Sequence, residues 1–128
     1  MLAAVRAAAD AAGVPLVLNA RIDVHLRGAG DPAGRTAEAI RRARRYRAAG
    51  ADSVYPILLA EPGQVAEFVA GADAPVNLLY RPGGPSLAEL TRLGAARISH
   101  GEGPYAAIQA RTAALLDAIQ AGRDPYAP

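Results

Sequence analysis

Apolar positions recur along this chain in two alternating rhythms, short runs of about five residues and longer stretches at helical spacing. Leu2, Val5 and Ala9 share one face of an alanine-rich segment at 2–12, and Gly13 stands where a helix would end. The run 16–20 reads as a first strand. A loop of Gly28, Gly30, Asp31, Pro32 and Gly34 then opens into an arginine-rich helix at about 35–49, stopped by Gly50. A second strand is expected at 53–57, and Glu61-Pro62 begins a helix whose Val65, Phe68 and Val69 recur at i, i+3 and i+4. The third strand, 75–79, leaves through Arg81-Pro82-Gly83-Gly84-Pro85 into a short helix at 86–93, with Ser86 as N-cap and Glu89 three residues on. The fourth, 95–99, leads through His100-Gly101-Glu102-Gly103-Pro104 into a long helix at about 105–121 and a Pro-rich tail at 122–128.

Strands that alternate with helices imply a parallel sheet, because each return to the same end needs a crossover. Strands of an open doubly wound sheet are buried on both faces and read as unbroken apolar runs. Here polar residues interrupt three of them: Asn19 and Arg21, Ser53 and Tyr55, and Asn77 share strand parity with an interior face. A lined barrel mouth fits better. The expected fold is α/β, four parallel βα repeats forming half of a TIM-type (β/α)8 barrel. A closed barrel usually needs roughly 250 residues, and the chain has 128. Barrel enzymes build their active sites at the carboxyl ends of strands, so function is sought near Arg21.

The 52% hydrophobic and 20% charged content describes one globular domain spanning 1–128. No apolar run approaches the roughly 20 residues that span a bilayer. The opening Met1-Leu2-Ala3-Ala4-Val5-Arg6 lacks a secretory pattern, so a cytoplasmic setting is expected. Cysteine is absent, which excludes disulfides, thiol nucleophiles and thiolate ligands within the chain. The net charge of +2 rests on arginine alone. Arg41, Arg42, Arg44, Arg45 and Arg47 lie along one helix and read as a solvated face. The basic excess is small and no apolar run is long enough to span a bilayer, so neither nucleic acid nor membrane is an expected partner.

These residues also carry a family resemblance. Asn19-Ala20-Arg21-Ile22-Asp23, Ala48-Ala49-Gly50-Ala51-Asp52-Ser53-Val54, Ala74-Pro75-Val76-Asn77, Leu87-Ala88-Glu89-Leu90 and Leu93-Gly94-Ala95-Ala96-Arg97-Ile98-Ser99 follow in order. Together they resemble the second half of the isocitrate lyase and phosphoenolpyruvate mutase superfamily, its short phosphonomutase-like members above all. The resemblance runs from Leu2 to about Ala121. It implies a Mg2+-dependent lyase or mutase that makes or breaks a C–C or P–C bond beside a carboxylate, through an enolate-like intermediate. The implied substrate is a small carboxylate anion of 2-oxo acid or phosphoenolpyruvate type. Arg21 matches the arginine that contacts the substrate's acidic group, a role suited to a planar fork. Asn77 matches a position bordering the site, and Asn19 opens the same motif as Arg21.

The chain departs from the family at the end of the second strand. Tyr55-Pro56-Ile57 stands where many lyases carry an acid and phosphonomutases a histidine. The family's metal-binding carboxylates and mobile catalytic loop belong to the first half of the barrel, so no metal ligand is assigned within this chain. Taken alone, the chain is expected to be inactive.

Each single residue keeps a plainer alternative. Arg21 could instead form a structural ion pair with Asp23, and His25 reads as a surface histidine. His100, at the mouth after the fourth strand, could act as general acid or base. The two late glycine loops suit phosphate or simply turn geometry, and Glu102 would repel an anion. Open sheet edges invite pairing, so the expected partner is a second copy in a homo-oligomer or a first half of the barrel. The alternative function is a noncatalytic half-barrel that self-associates or binds a small anion.

Overall fold

The computed structural model describes residues 1–28 and 30–127. Helix α1 (Leu2–Ala11) precedes β1 (Asn19–Ile22), a short α2 (Val24–Arg27), a 3-10 turn (Pro32–Gly34) and α3 (Arg35–Ala48). Then follow β2 (Ser53–Pro56), α4 (Pro62–Gly71), β3 (Asn77–Leu79), α5 (Leu87–Arg92), β4 (Arg97–Ser99) and α6 (Gly103–Gln120). Strand β1 pairs in parallel with β2, Asn19 opposite Ser53 and Arg21 opposite Tyr55. Strand β3 pairs in parallel with β4, Asn77 opposite Arg97. A parallel bridge between Val54 and Val76 joins the two pairs, supported by the Val54 amide donating to Pro75 O at 3.0 Å. The strand order is therefore the chain order, as in a barrel wall.

Alternation along each strand divides the sheet into two chemically different faces. Ile22, Val54, Val76 and Leu78 turn to the helices and are buried against Ala39, Ala43, Val65, Phe68 and Leu90. The stripe of Val65, Phe68 and Val69 expected on α4 supplies the helix side of this core. Ser86 caps α5 as its sequence context predicts, Oγ accepting from the Glu89 amide at 3.2 Å. Glu61 caps α4, its carboxylate accepting from the Gly63 and Gln64 amides at 2.9 and 2.7 Å. Gly94 closes α5 with φ +94°, where a Cβ would meet Val69 Cγ1 at 2.9 Å.

Three strands are shorter than expected, and β1 is shifted. Residues 16–18 precede the ladder, and β1 instead runs on to Ile22, because Leu18 is held by a different device. The Asp52 carboxylate accepts from the Leu18 amide at 2.7 Å, and Leu18 O accepts from the Asp52 amide at 2.9 Å. Arg6 joins the same knot: it pairs with Asp52 and donates to Leu16 O at 2.9 Å and Gly50 O at 3.1 Å. That knot ties α1 to the amino-terminal end of the sheet. Helix α2 lies in a stretch expected to be loop; Val24, fully buried, anchors it, and Gly28 in a left-handed conformation ends it. No helix among the described residues is long and apolar enough to cross a membrane.

Candidate functional site

The face opposite the helices carries Asn19 and Arg21 from β1, Ser53 and Tyr55 from β2, Asn77 and Leu79 from β3, and Arg97 and Ser99 from β4. It is polar at most positions because strand alternation reserves the apolar residues for the helix side. At the carboxyl end of β1, Arg21 Nε donates to Asp23 Oδ1 at 2.7 Å and Nη2 to Oδ2 at 3.2 Å. This bidentate bond, then the Asp23 charge, raises the Arg21 guanidinium above its ordinary value. Asp23 stands at the N-cap of α2 yet makes no side-chain cap bond, its carboxylate being committed to Arg21. The pairing and the placement coexist: Arg21 remains more than half exposed, with Nη1 free of the fork.

Below Arg21 a polar network crosses all four strands. Ser53 Oγ donates to Asn19 Oδ1 at 2.9 Å. With its amide oriented so that the oxygen faces donors, Asn77 accepts from Asn19 Nδ2 at 3.1 Å and from Arg97 Nη1 at 3.2 Å. Asn77 Nδ2 donates in turn to Arg97 O at 3.2 Å. Asn77 is only 1% exposed, so these bonds satisfy a buried amide.

Asn19 and Arg21 line a cavity of about 690 Å3 together with Asp23, Arg45 and Tyr46. His100 lines a different one, of about 640 Å3, at the carboxyl ends of β3 and β4 with Leu58, Tyr80, Arg81 and Glu102. Its ring lies 5.3 Å from that of Tyr80, tilted by 59°. Leu58 adopts φ +65°, a strained backbone for a branched residue, beside this second cavity. The structure thus joins Asn77 to Asn19, puts Arg21 in the same cavity as Asn19, and sets His100 apart in a separate hollow.

Two residues escaped sequence reasoning. Arg97 shares the inward parity of Ser99, a signal present in the fourth strand but masked by its exposed, basic character. His25, expected at the surface, has both ring nitrogens buried and without a partner among the described residues. Burial, then the charge of Arg35, lowers its pKa. Arg35 itself is turned to the loop, donating to Gly28 O at 2.9 Å. No cluster of three or more His, Asp or Glu capable of holding a metal occurs among the described residues.

Four parallel βα units with a polar inner face and an arginine at the first strand's carboxyl end define part of a TIM-type barrel enzyme fold. Residues 1–120 match the family described as phosphoenolpyruvate phosphomutase, and the chain belongs to that family. It is 43% identical over 91 residues to an uncharacterized protein of Mycobacterium tuberculosis, covering 70% of this chain and 33% of that protein. It is 39% identical to a candidate phosphonomutase from Burkholderia cenocepacia J2315, with a TM-score of 0.84, covering 91% of this chain and 47% of that one. 2,3-Dimethylmalate lyase, a PEP mutase/isocitrate lyase superfamily member, shares the fold at 24% identity and a TM-score of 0.75, over 99% of this chain and 44% of its own. The chain therefore spans less than half the length of each of these relatives.

Proposed function

We propose that this chain is the substrate-arginine half of a lyase or mutase that makes or breaks a C–C or P–C bond of a small carboxylate substrate. One observation carries the reading: Arg21 presents a guanidinium, oriented by Asp23, at the strand end where such barrels bind their substrates. An incoming carboxylate or phosphonate would meet the exposed Nη1 edge, while Asp23 keeps the fork from swinging away. Asn19 and Asn77 border the site from below, their amides fixed by Ser53 and Arg97. His100, in the separate hollow at the ends of β3 and β4, is the candidate general acid or base.

Family membership implies Mg2+, but among the described residues the donors do not form a seat for it, since Asp23 is spent on Arg21 and no group of three or more acids or histidines gathers to hold a metal. The metal carboxylates would belong to the complementary part of the barrel. We accordingly expect no turnover from the isolated chain. A noncatalytic half-barrel that binds a small anion is the second reading, supported by the same free edge of Arg21.

Calorimetric titration of the chain, alone and in its assembled state with Mg2+, against oxaloacetate and oxalate tests the proposal. Binding that Arg21→Ala removes, with turnover in the assembled state, supports the enzyme. Binding without turnover in that state favours the anion-binding module. Absence of binding in every state refutes both.

A further inference from the structure

Helix α2 is a single turn that follows directly on the Arg21–Asp23 pair, and His25 sits at its middle. The residue is partly buried, and both ring nitrogens are shielded from water without a partner among the described residues. Arg35 Nε, at the start of α3, is a third nitrogen in the same condition. A neutral imidazole leaves two hydrogen bonds unmade there. An imidazolium would add a second N–H donor and a charge that the Arg35 guanidinium repels.

No carboxylate around it is free to receive that proton's charge. Helix α3 packs on α2, and its first turn carries Arg35 and Glu38, the latter held by Arg41 and Arg42. In the turn before α3, Asp31 accepts from the Ala33 amide. On the α2 segment itself Asp23 is bound by Arg21, and Arg27 is a further cation. The hold on α2 is slight by comparison. It is closed by the Arg27 amide donating to Asp23 O at 2.8 Å and the Gly28 amide donating to His25 O at 3.2 Å, with Val24 as its buried anchor.

We propose that α2 is an acid-released latch on the candidate site: a proton taken by His25 unseats the helix, frees the backbone at Asp23 and loosens the Arg21–Asp23 fork, so that small carboxylates bind more weakly in acid. The effect on carboxylates rests on the function proposed above; the release of α2 does not. Burial and then Arg35 lower the folded pKa of His25 from 6.5, so the seated helix is fully favoured above pH 6.5 and is lost as pH falls.

Amide hydrogen exchange of the chain, followed by NMR from about pH 7.5 to about pH 5, tests the latch over the range in which histidine titrates. After correction for intrinsic rates, protection of the Arg27 and Gly28 amides should fall by as much as about tenfold per pH unit below 6.5. The Ala72 amide of α4, bonded to Phe68 O, should stay protected and reports that the rest of the chain is folded. His25→Phe, which cannot take a proton, should keep one level of protection throughout, and His25→Gln replaces it if the Ala72 amide shows that it does not fold. Calorimetry with oxalate, whose charge persists over this range as does that of Arg21, should show affinity at about pH 5 at least about twofold weaker in the parent and unchanged in the variant. Protection that ignores pH in the parent, or that falls equally in the variant, overturns the latch. Loss of protection with unchanged oxalate affinity overturns its coupling to the site. Failure of oxalate to bind at any pH refutes the function proposed for Arg21, and exchange alone then decides the release of α2.

Discussion

Replacing Asn77 by Ala tests whether the four-strand network is a real source of order beneath Arg21. The substitution removes three hydrogen bonds of 3.1–3.2 Å, one of them to a guanidinium. A buried hydrogen bond contributes about 1 kcal/mol net, more when one partner is charged. Asn19 and Arg97 are exposed and regain water when released, which sets their share near the lower end, about 0.5 kcal/mol each. The Arg97 carbonyl and the small void left by the side chain raise the total to about 2 kcal/mol. For 128 residues, unfolding entropy of about 2.1 cal/mol/K per residue gives roughly 0.27 kcal/mol/K, so the melting temperature should fall by about 7 °C. Thermal melts followed by circular dichroism would measure it. The double variant Asn19→Ala with Asn77→Ala should lose less than the two single losses combined, since both delete one shared bond. A melting temperature within about 2 °C of the parent, or strict additivity, would refute the network as drawn.

Gly94→Ala should cost about 2–3 kcal/mol, seen as a lower urea midpoint at unchanged slope, because φ is +94° and the new Cβ meets Val69 at 2.9 Å. Arg6→Ala should release α1 from Leu16, Gly50 and Asp52 and speed amide exchange in α1 while α4 stays protected; equal protection of α1 in both proteins would contradict the knot. Glu38 is held down to about 2 from 4.5 by bonds from Arg41 and then Arg42. Its folded pKa is depressed, so its contribution is complete above pH 4.5 and is lost as pH falls toward about 2. Melting curves of the parent and Glu38→Gln should therefore converge across that interval, and molar salt should shrink their difference, the pair being exposed. The lowered pKa of His25 predicts the same sign at higher pH: stability complete above pH 6.5 and lost as His25 is forced to take a proton, a dependence that His25→Gln abolishes.

By itself the sequence determined the order of the four strands and of the long helices between them, though not α2, and the parity of the strands. These rest on local facts: the spacing of Val65, Phe68 and Val69 on one helix, the Ser86 cap, the stop at Gly50, and polar residues at every second position of the first two strands. The motif around Arg21 was equally local, five consecutive residues at a strand's exit.

Tertiary structure alone decided where each strand begins, because a ladder exists only where a neighbour supplies partners. Hence β1 lies at Asn19–Ile22 while Leu18 is held by Asp52, 34 residues away. The commitment of Asn77 to Asn19 and Arg97 likewise joins side chains 58 and 20 positions apart, contacts that no periodicity encodes. His25 illustrates the same limit in burial: a histidine followed by a glycine-rich loop reads as exposed, yet packing around α2 takes both ring nitrogens from water. Pattern fixes which face a residue occupies; only packing determines what that face meets.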